Sequence, residues 1–240
     1  MVKKYALLTG ASGGIGNAIA RQLIKDDYAV YLHYYKNGEG LKQLQEEYKN
    51  HEIFLIKADL SISDGVNELL NQVHHPIDSL ILNSGNSYVG LVTDMAIEEV
   101  TTMIQLHMTS PFLITQAILP KMISNKSGNI VFITSIWGEI GASCEALYSM
   151  VKGGQNTLVK ALAKELAPSN IRVNAVAPGA INTSMLHVLD ESDLGALIEE
   201  IPMGRLGKPE EIAHSVQFLL SKQASYINGQ IISVNGAWHT

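Results

Sequence analysis

The chain has 240 residues, 46% of them hydrophobic, with 17 Lys and Arg against 23 Asp and Glu and a net charge of −6. That length and apolar content suffice for one large core, and the evenly spread charge argues against nucleic acid or an anionic membrane as the main partner. No apolar run reaches bilayer length, Met1-Val2-Lys3-Lys4-Tyr5 leads into a strand rather than a signal peptide, and Cys144, the one cysteine, lacks a disulfide partner or metal-ligand spacing. These features describe a soluble, cytoplasmic protein with no metal centre.

Apolar runs suited to buried parallel strands occupy residues 5–9, 29–33, 53–57, 79–82, 129–134, 171–177 and 230–234. Helical patterns separate them, including long ones over 97–124 and 146–167. This alternation predicts a single α/β domain over residues 1–240: a doubly wound parallel sheet of about seven strands with helices on both faces. The long irregular stretch over 181–202 is a candidate helical flap, and His187 within it is either a substrate contact or an exposed histidine.

Directly after the first strand the chain reads Thr9-Gly10-Ala11-Ser12-Gly13-Gly14-Ile15-Gly16, and a helix begins near Asn17. Glycines at a strand-to-helix turn let backbone amides and the helix N-terminus approach a pyrophosphate. Further along, Tyr148 and Lys152 stand four residues apart on a predicted helix, so the phenol and the ammonium share a face. A nearby cation favours phenolate and is expected to lower the Tyr148 pKa. Ser135, thirteen residues earlier at a strand end, could help hold a carbonyl oxygen. Alone, that serine would be read as a backbone cap and the tyrosine as a half-buried aromatic; together with the glycine turn they describe proton movement at oxygen coupled to hydride movement at carbon.

These residues resemble the short-chain dehydrogenase/reductase family along essentially the whole chain. The family's glycine motif is present as Thr9, Gly10, Gly14 and Gly16, its acidic residue near the adenine is matched by Asp59 followed by Leu60, and its Asn-Asn-Ala-Gly motif survives in part as Leu82-Asn83-Ser84-Gly85. Ser135, Tyr148 and Lys152 match its catalytic set, Pro178-Gly179 with Ile181 and Thr183 match a nicotinamide-contacting segment, and Arg205, Gly207, Pro209 and Glu210 continue the pattern. The resemblance implies a Rossmann-type fold and a cofactor site including Gly10, Ser12, Gly13, Gly14, Ile15, Gly16, Asp59, Leu60, Asn83, Gly85, Tyr148, Lys152, Pro178, Gly179, Ile181 and Thr183. At the end of the second strand, His33-Tyr34-Tyr35-Lys36-Asn37 lacks the acidic residue that would hold a ribose 2′-hydroxyl, so Tyr35 and Lys36 are expected to receive the 2′-phosphate of NADP(H). Against this, Gly13 stands where a basic residue often sits, and a solvated Lys36 is the plainer alternative.

His107 occupies the place of the family's usual asparagine, in Gln105-Leu106-His107-Met108. Either it joins a proton relay to Lys152 or it is a structural histidine hydrogen-bonded to a neighbouring strand. Between Ser135 and Tyr148 lie Trp137, Glu139 and Glu145, a segment that lines the substrate entrance in the family. The two carboxylates would attract a cation there, or else both point to water. That segment, the His107 variant and the ending Gly236-Ala237-Trp238-His239 are similar to the elongation factor P 5-aminopentanone reductases, whose substrate carries a protonated amine. The alternative resemblance is to 3-oxoacyl-acyl carrier protein reductases, for which Lys126 is one basic contact while Pro168-Ser169-Asn170 lacks the usual arginine. A non-catalytic NADP(H)-binding regulator is a third reading. The family implies a homotetramer; Ile114, Leu119, Met122, Leu158, Leu162 and Leu166 could supply its surface or face the sheet.

Overall fold

The computed structural model describes residues 3–186 and 190–240. Within them, β1 (Lys4–Leu8), β2 (Tyr28–Tyr34), β3 (Ile53–Lys57), β4 (Ser79–Leu82), β5 (Gly128–Ile133), β6 (Ile171–Pro178) and β7 (Ile231–Val234) form one sheet in the order 3-2-1-4-5-6-7. All neighbouring pairs are parallel. The strand positions expected from apolar runs hold to within one residue at each end.

A parallel sheet covered on both faces needs strands that are apolar on both sides, and β1 shows the alternation that results. Ala6 and Leu8 enter one core with α1 (Gly14–Lys25) and α2 (Glu39–Glu47). Leu7 enters the other core with α3 (Gly65–Leu70). Further on, α4 (Ile97–Ile104), α5 (Ser110–Asn125), α6 (Trp137–Ile140), α7 (Ala146–Leu166), α8 (Glu191–Glu200) and α9 (Pro209–Leu220) complete the helical layers. Of these, α9 joins the first core, and α5 and α7 join the second. Four of the residues considered for an assembly surface, Ile114, Met122, Leu162 and Leu166, are buried in that second core, with Leu119 and Leu158 packed against it. The exposed apolar side chains of α5 and α7 are instead Phe112, Ile123 and Met150.

The helix expected over 97–124 is interrupted by a π turn at Gln105–Thr109. Pro111 carries no N–H, so the His107 carbonyl four residues earlier cannot receive its α-helical bond. Ser110 N donates to Gln105 O, five residues back. The Gln155 side chain takes the freed carbonyl, Nε2 to His107 O at 2.6 Å. The turn rotates His107 into the interior, where it is fully buried. In the 181–202 stretch, α8 is helical as expected, while His187 lies outside the described residues. No helix among the described residues is long and apolar enough to cross a membrane.

β1 and β4 are adjacent although their crossovers run to opposite sides of the sheet, which opens a crevice beyond their carboxyl ends. The turn after β1 leaves no room there: a Cβ on Gly16 would lie 2.1 Å from Gly10 O and 2.8 Å from Ala11 Cα. Gly16→Ala is therefore expected to lower stability by about 1–3 kcal/mol, read as a lower urea midpoint; an unchanged midpoint would show that the turn can relax.

Candidate active site

Long-range bonds fix the glycine turn before α1 starts. Thr9 Oγ1 accepts from Asn83 N at 2.9 Å and Ser84 N at 3.0 Å, and Asn83 Nδ2 donates to Thr9 O and Gly10 O at 3.1 and 3.0 Å. Gly10 has φ +66°, and a Cβ there would press on Ser84 Cα at 2.9 Å. Its N–H donates to His33 Nδ1 at 3.1 Å, while His33 Nε2 donates to Ala58 O at 3.1 Å. Burial pushes the His33 pKa down to about 4, so the neutral ring that this pair of bonds requires is the stable form. The sequence reading missed His33; its one signal was a histidine ending an otherwise apolar strand.

At the start of α1, Gly13 offers no side-chain cap and the first turn has no acidic residue, so the leading amides are free. Thr183 packs over them, with Cγ2 2.8 Å from where a Gly14 Cβ would be. Free amides, a side-chain-free approach and a neighbouring hydroxyl fit the pyrophosphate of a dinucleotide. Ser12 and Gly13 are exposed beside this turn, and Ile15 is half-buried against the first core. At the end of β2, exposed Lys36 lies with Nζ 5.2 Å from the Tyr35 ring centroid. Against burial, the Asp59 carboxyl is held below its usual range by Ser61, whose N and Oγ donate to it, and by the nearby Tyr35 and Lys36 side chains.

Several residues expected to contact the nucleotide have partners within the protein. The Leu60 and Ile181 side chains belong to the two cores, so these residues can offer only backbone. The Pro178 carbonyl accepts from Ile136 N at 3.1 Å, and Gly179 N is committed to Val234 O at 3.0 Å. Asn83 braces the glycine turn instead of facing outward. Gly85 makes room for an imidazole: a Cβ there would meet His107 Cε1 at 2.6 Å.

Ser135, Tyr148 and Lys152, the expected catalytic set, come together at the carboxyl end of β5. Buried Ser135 accepts from Trp137 N at 3.2 Å and stands near the Tyr148 hydroxyl, whose pKa it pulls down. Lys152 is buried on the same face of α7, with Nζ donating to Ile133 O at 2.9 Å and standing 5.6 Å from the Tyr148 ring centroid. The expected lowering of the phenol pKa by the lysine is not what this arrangement gives. Burial and the Glu145 carboxylate push Tyr148 up to about 12, against the pull of Ser135. Burial alone pushes Lys152 down to about 7. The phenol is thus held as a proton donor.

His107 places its ring edge-on to Tyr148, centroids 5.8 Å apart at 90°. Its Nε2 lies 3.0 Å from Asn86 O, on the segment after β4 and not on a strand, and its Nδ1 is buried without a partner. Burial and the neighbouring Lys152 hold it down to about 3, so the ring is neutral. Of the residues expected at the substrate entrance, Trp137 and Glu145 are half-buried; burial pushes the Glu145 pKa up, against the neighbouring Trp137 side chain. Glu139 is not: its Oε2 accepts from Ser233 Oγ at 2.7 Å, tying α6 to β7. Trp238, not foreseen, packs against Trp137 with centroids 5.0 Å apart.

The chain belongs to the short-chain dehydrogenase/reductase family: a family model described as enoyl-(acyl carrier protein) reductase matches residues 10–239. It is an oxidoreductase of that family. Its similarity to the oxidoreductase YmfI of Bacillus subtilis, whose name is qualified as uncharacterized, is 52% identity over 99% of this chain and all of that one. It is 38% identical to the 3-oxoacyl-[acyl-carrier-protein] reductase FabG of Aquifex aeolicus over 97% of this chain and 96% of the other. Among solved structures, YwfH, an NADPH-dependent reductase of bacilysin biosynthesis, superposes with a TM-score of 0.92 at 25% identity, covering 100% and 99% of the two chains.

Lys152 gives a pH-dependent stability. Its folded pKa of about 7 lies below the ordinary 10.5, so between those values the unfolded chain binds the extra proton. The burden on the native state is absent above the upper value, grows as pH falls, and is complete below the lower one. Lys152→Met is expected to raise the melting temperature of the nucleotide-free protein more at pH 7 than at pH 10; an equal gain at both would overturn the assignment.

Proposed function

We propose that this chain is an NADPH-dependent carbonyl reductase that converts a ketone to a secondary alcohol, and that its natural substrate is the 5-aminopentanone modification on a lysine of elongation factor P. The observation that carries the reductase reading is the convergence of half-buried Tyr148, buried Ser135 and buried Lys152 at the end of β5, with Lys152 Nζ fixed on Ile133 O. The reduced nicotinamide supplies the hydride. Tyr148 gives its proton to the carbonyl oxygen, and Ser135 Oγ steadies that oxygen as charge develops on it. Lys152, anchored on Ile133 O, keeps a donor on the inner side of Tyr148 where ribose hydroxyls would lie. Exposed Lys36 beside Tyr35, with no carboxylate ending β2, suits a 2′-phosphate and supports NADP(H) over NAD(H).

The elongation factor reading is supported by the entrance segment and by half-buried Glu145 next to Tyr148, a carboxylate suited to an amine-bearing ketone. Reduction of a 3-oxoacyl group on acyl carrier protein is the second reading, favoured by relatives that bear that name. At the α5 terminus the Asn170 side chain donates to Lys126 O at 3.0 Å, which leaves the exposed Lys126 ammonium as one basic contact for an acidic carrier. For assembly as a homotetramer, exposed Phe112, Ile123 and Met150 are the apolar surface available on α5 and α7.

NADPH consumption with aminopentanone-modified elongation factor P and with an acetoacetyl thioester separates the readings. Preference for the modified factor is the expected result; turnover of the thioester alone assigns the chain to acyl reduction. NADPH binding with no oxidation by any ketone would leave a non-catalytic regulator. Tyr148→Phe is expected to cut kcat by about 10²–10⁴ with nucleotide affinity retained, whereas a fall in affinity with kcat intact would remove Tyr148 as proton donor.

A further inference from the structure

His33 ends the buried run of β2, where the other interior side chains are aliphatic or tyrosine. A leucine would fill that place without the cost of burying an imidazole. The hydrogen bonds of the ring leave the strand altogether. Nδ1 accepts from Gly10 N and Nε2 donates to Ala58 O, both at 3.1 Å, and Ser84 Oγ stands 3.4 Å from Nδ1. The His33 carbonyl accepts from Ala11 N at 2.8 Å. One residue thus reaches the turn after β1, the end of β3 and the segment after β4, which together border the crevice.

Gly10 is where these bonds matter. It has no side chain to hold its own conformation, and its φ of +66° is one that glycine alone adopts freely. His33 holds it from the N–H side, while Asn83 Nδ2 and Gly13 N hold its carbonyl at 3.0 and 3.3 Å. Helix α1 begins a few residues on, and Gly16 passes so close that a Cβ there would collide with Gly10 O. The orientation of Gly10 therefore decides where the leading amides of α1 point. The bond to Ala58 O keeps the ring proton on Nε2, so Nδ1 stays an acceptor. We infer that His33 is a positioning residue for the dinucleotide: Nδ1 orients Gly10, and through it the α1 amides that receive the pyrophosphate. The inference rests on the dinucleotide reading of the glycine turn and is independent of the ketone.

Two substitutions separate the bonds of the ring. His33→Asn sets an amide oxygen where Nδ1 was, so Gly10 keeps its acceptor while Ala58 O loses its donor. His33→Gln reaches to the place of Nε2 and can serve Ala58 O, but leaves the Gly10 N–H without that acceptor. Equilibrium binding of NADPH, followed by the fluorescence of the nicotinamide itself, is read beside the melting temperature. His33→Gln should weaken NADPH binding by about tenfold. His33→Asn should bind NADPH as the unaltered protein does, even with a lower melting temperature. Adenosine 2′-monophosphate, which has no pyrophosphate, should bind all three proteins equally.

A packing role gives a different pattern. Were His33 there for stability alone, both substitutions would lower the melting temperature and leave NADPH affinity intact, and that result overturns the inference. Equal weakening of NADPH binding by the two overturns it as well. So does a loss of adenosine 2′-monophosphate affinity as large as the loss for NADPH. The paired variants decide the matter without recourse to His33→Phe, which removes both bonds and risks the fold. Failure of the unaltered protein to bind NADPH overturns the dinucleotide reading and the inference together. The expected binding pattern in a protein that reduces no ketone sustains the inference and removes the reductase reading.

Discussion

A lysine side chain enclosed along its whole length, ending on one carbonyl oxygen, sets the terms for everything around it. Lys152 can be buried only because Ile133 O, at the end of β5, receives its ammonium. That contact fixes where α7 crosses the sheet, and so where Tyr148 stands one turn earlier. It also demands that nothing else occupy the space. A Cβ on Gly138 would lie 2.7 Å from Lys152 C, so α6 can pass only as glycine at that point. The cost of holding an amine there falls on stability, and the return is a donor whose position the core dictates.

The same amine explains why His107 is neutral. Burial alone disfavours an imidazolium, and Lys152 adds repulsion. The π turn that brings the ring inward depends in turn on Pro111, which withholds a backbone donor, and on Gln155, which replaces it. Gly85 yields the space the ring fills. Lys152, Pro111, Gln155 and Gly85, scattered in sequence, thus all bear on one imidazole.

Much of this was legible in the residues. Continuous apolar runs located the strands because a doubly covered parallel sheet imposes that pattern, and the glycine turn was recognisable from its place between strand and helix. What could not be read was direction. Glu139 and Glu145 look equivalent in the sequence, yet one bonds to Ser233 on an edge strand and the other is half-buried with its charge acting on Tyr148. Gly85 and Asn83 match nucleotide-contacting positions, but the sequence did not reveal that they also support the glycine turn and the His107 ring. Trp238 gave no local signal, since its partner is a hundred residues away along the chain. The pKa of Tyr148 was misjudged for a related reason: spacing reveals that a lysine is near, but not that burial of both groups outweighs their mutual effect.

The strand order carries a kinetic consequence. β1 pairs with β4, and Thr9 is tied to Asn83 and Ser84 across more than seventy intervening residues. Ser135 reaches the same crevice only once β5 has added to β4. The glycine turn is therefore held by contacts of high sequence separation, and the nearby sequence from Ile133 to Lys152 meets it only when β5 lies beside β4 in the sheet. Loop closure must precede every one of those contacts, so sheet assembly is the slow event in folding and competence for chemistry comes at its end. Helices α1 and α7 can form and dissolve many times before then without creating anything that binds or reacts.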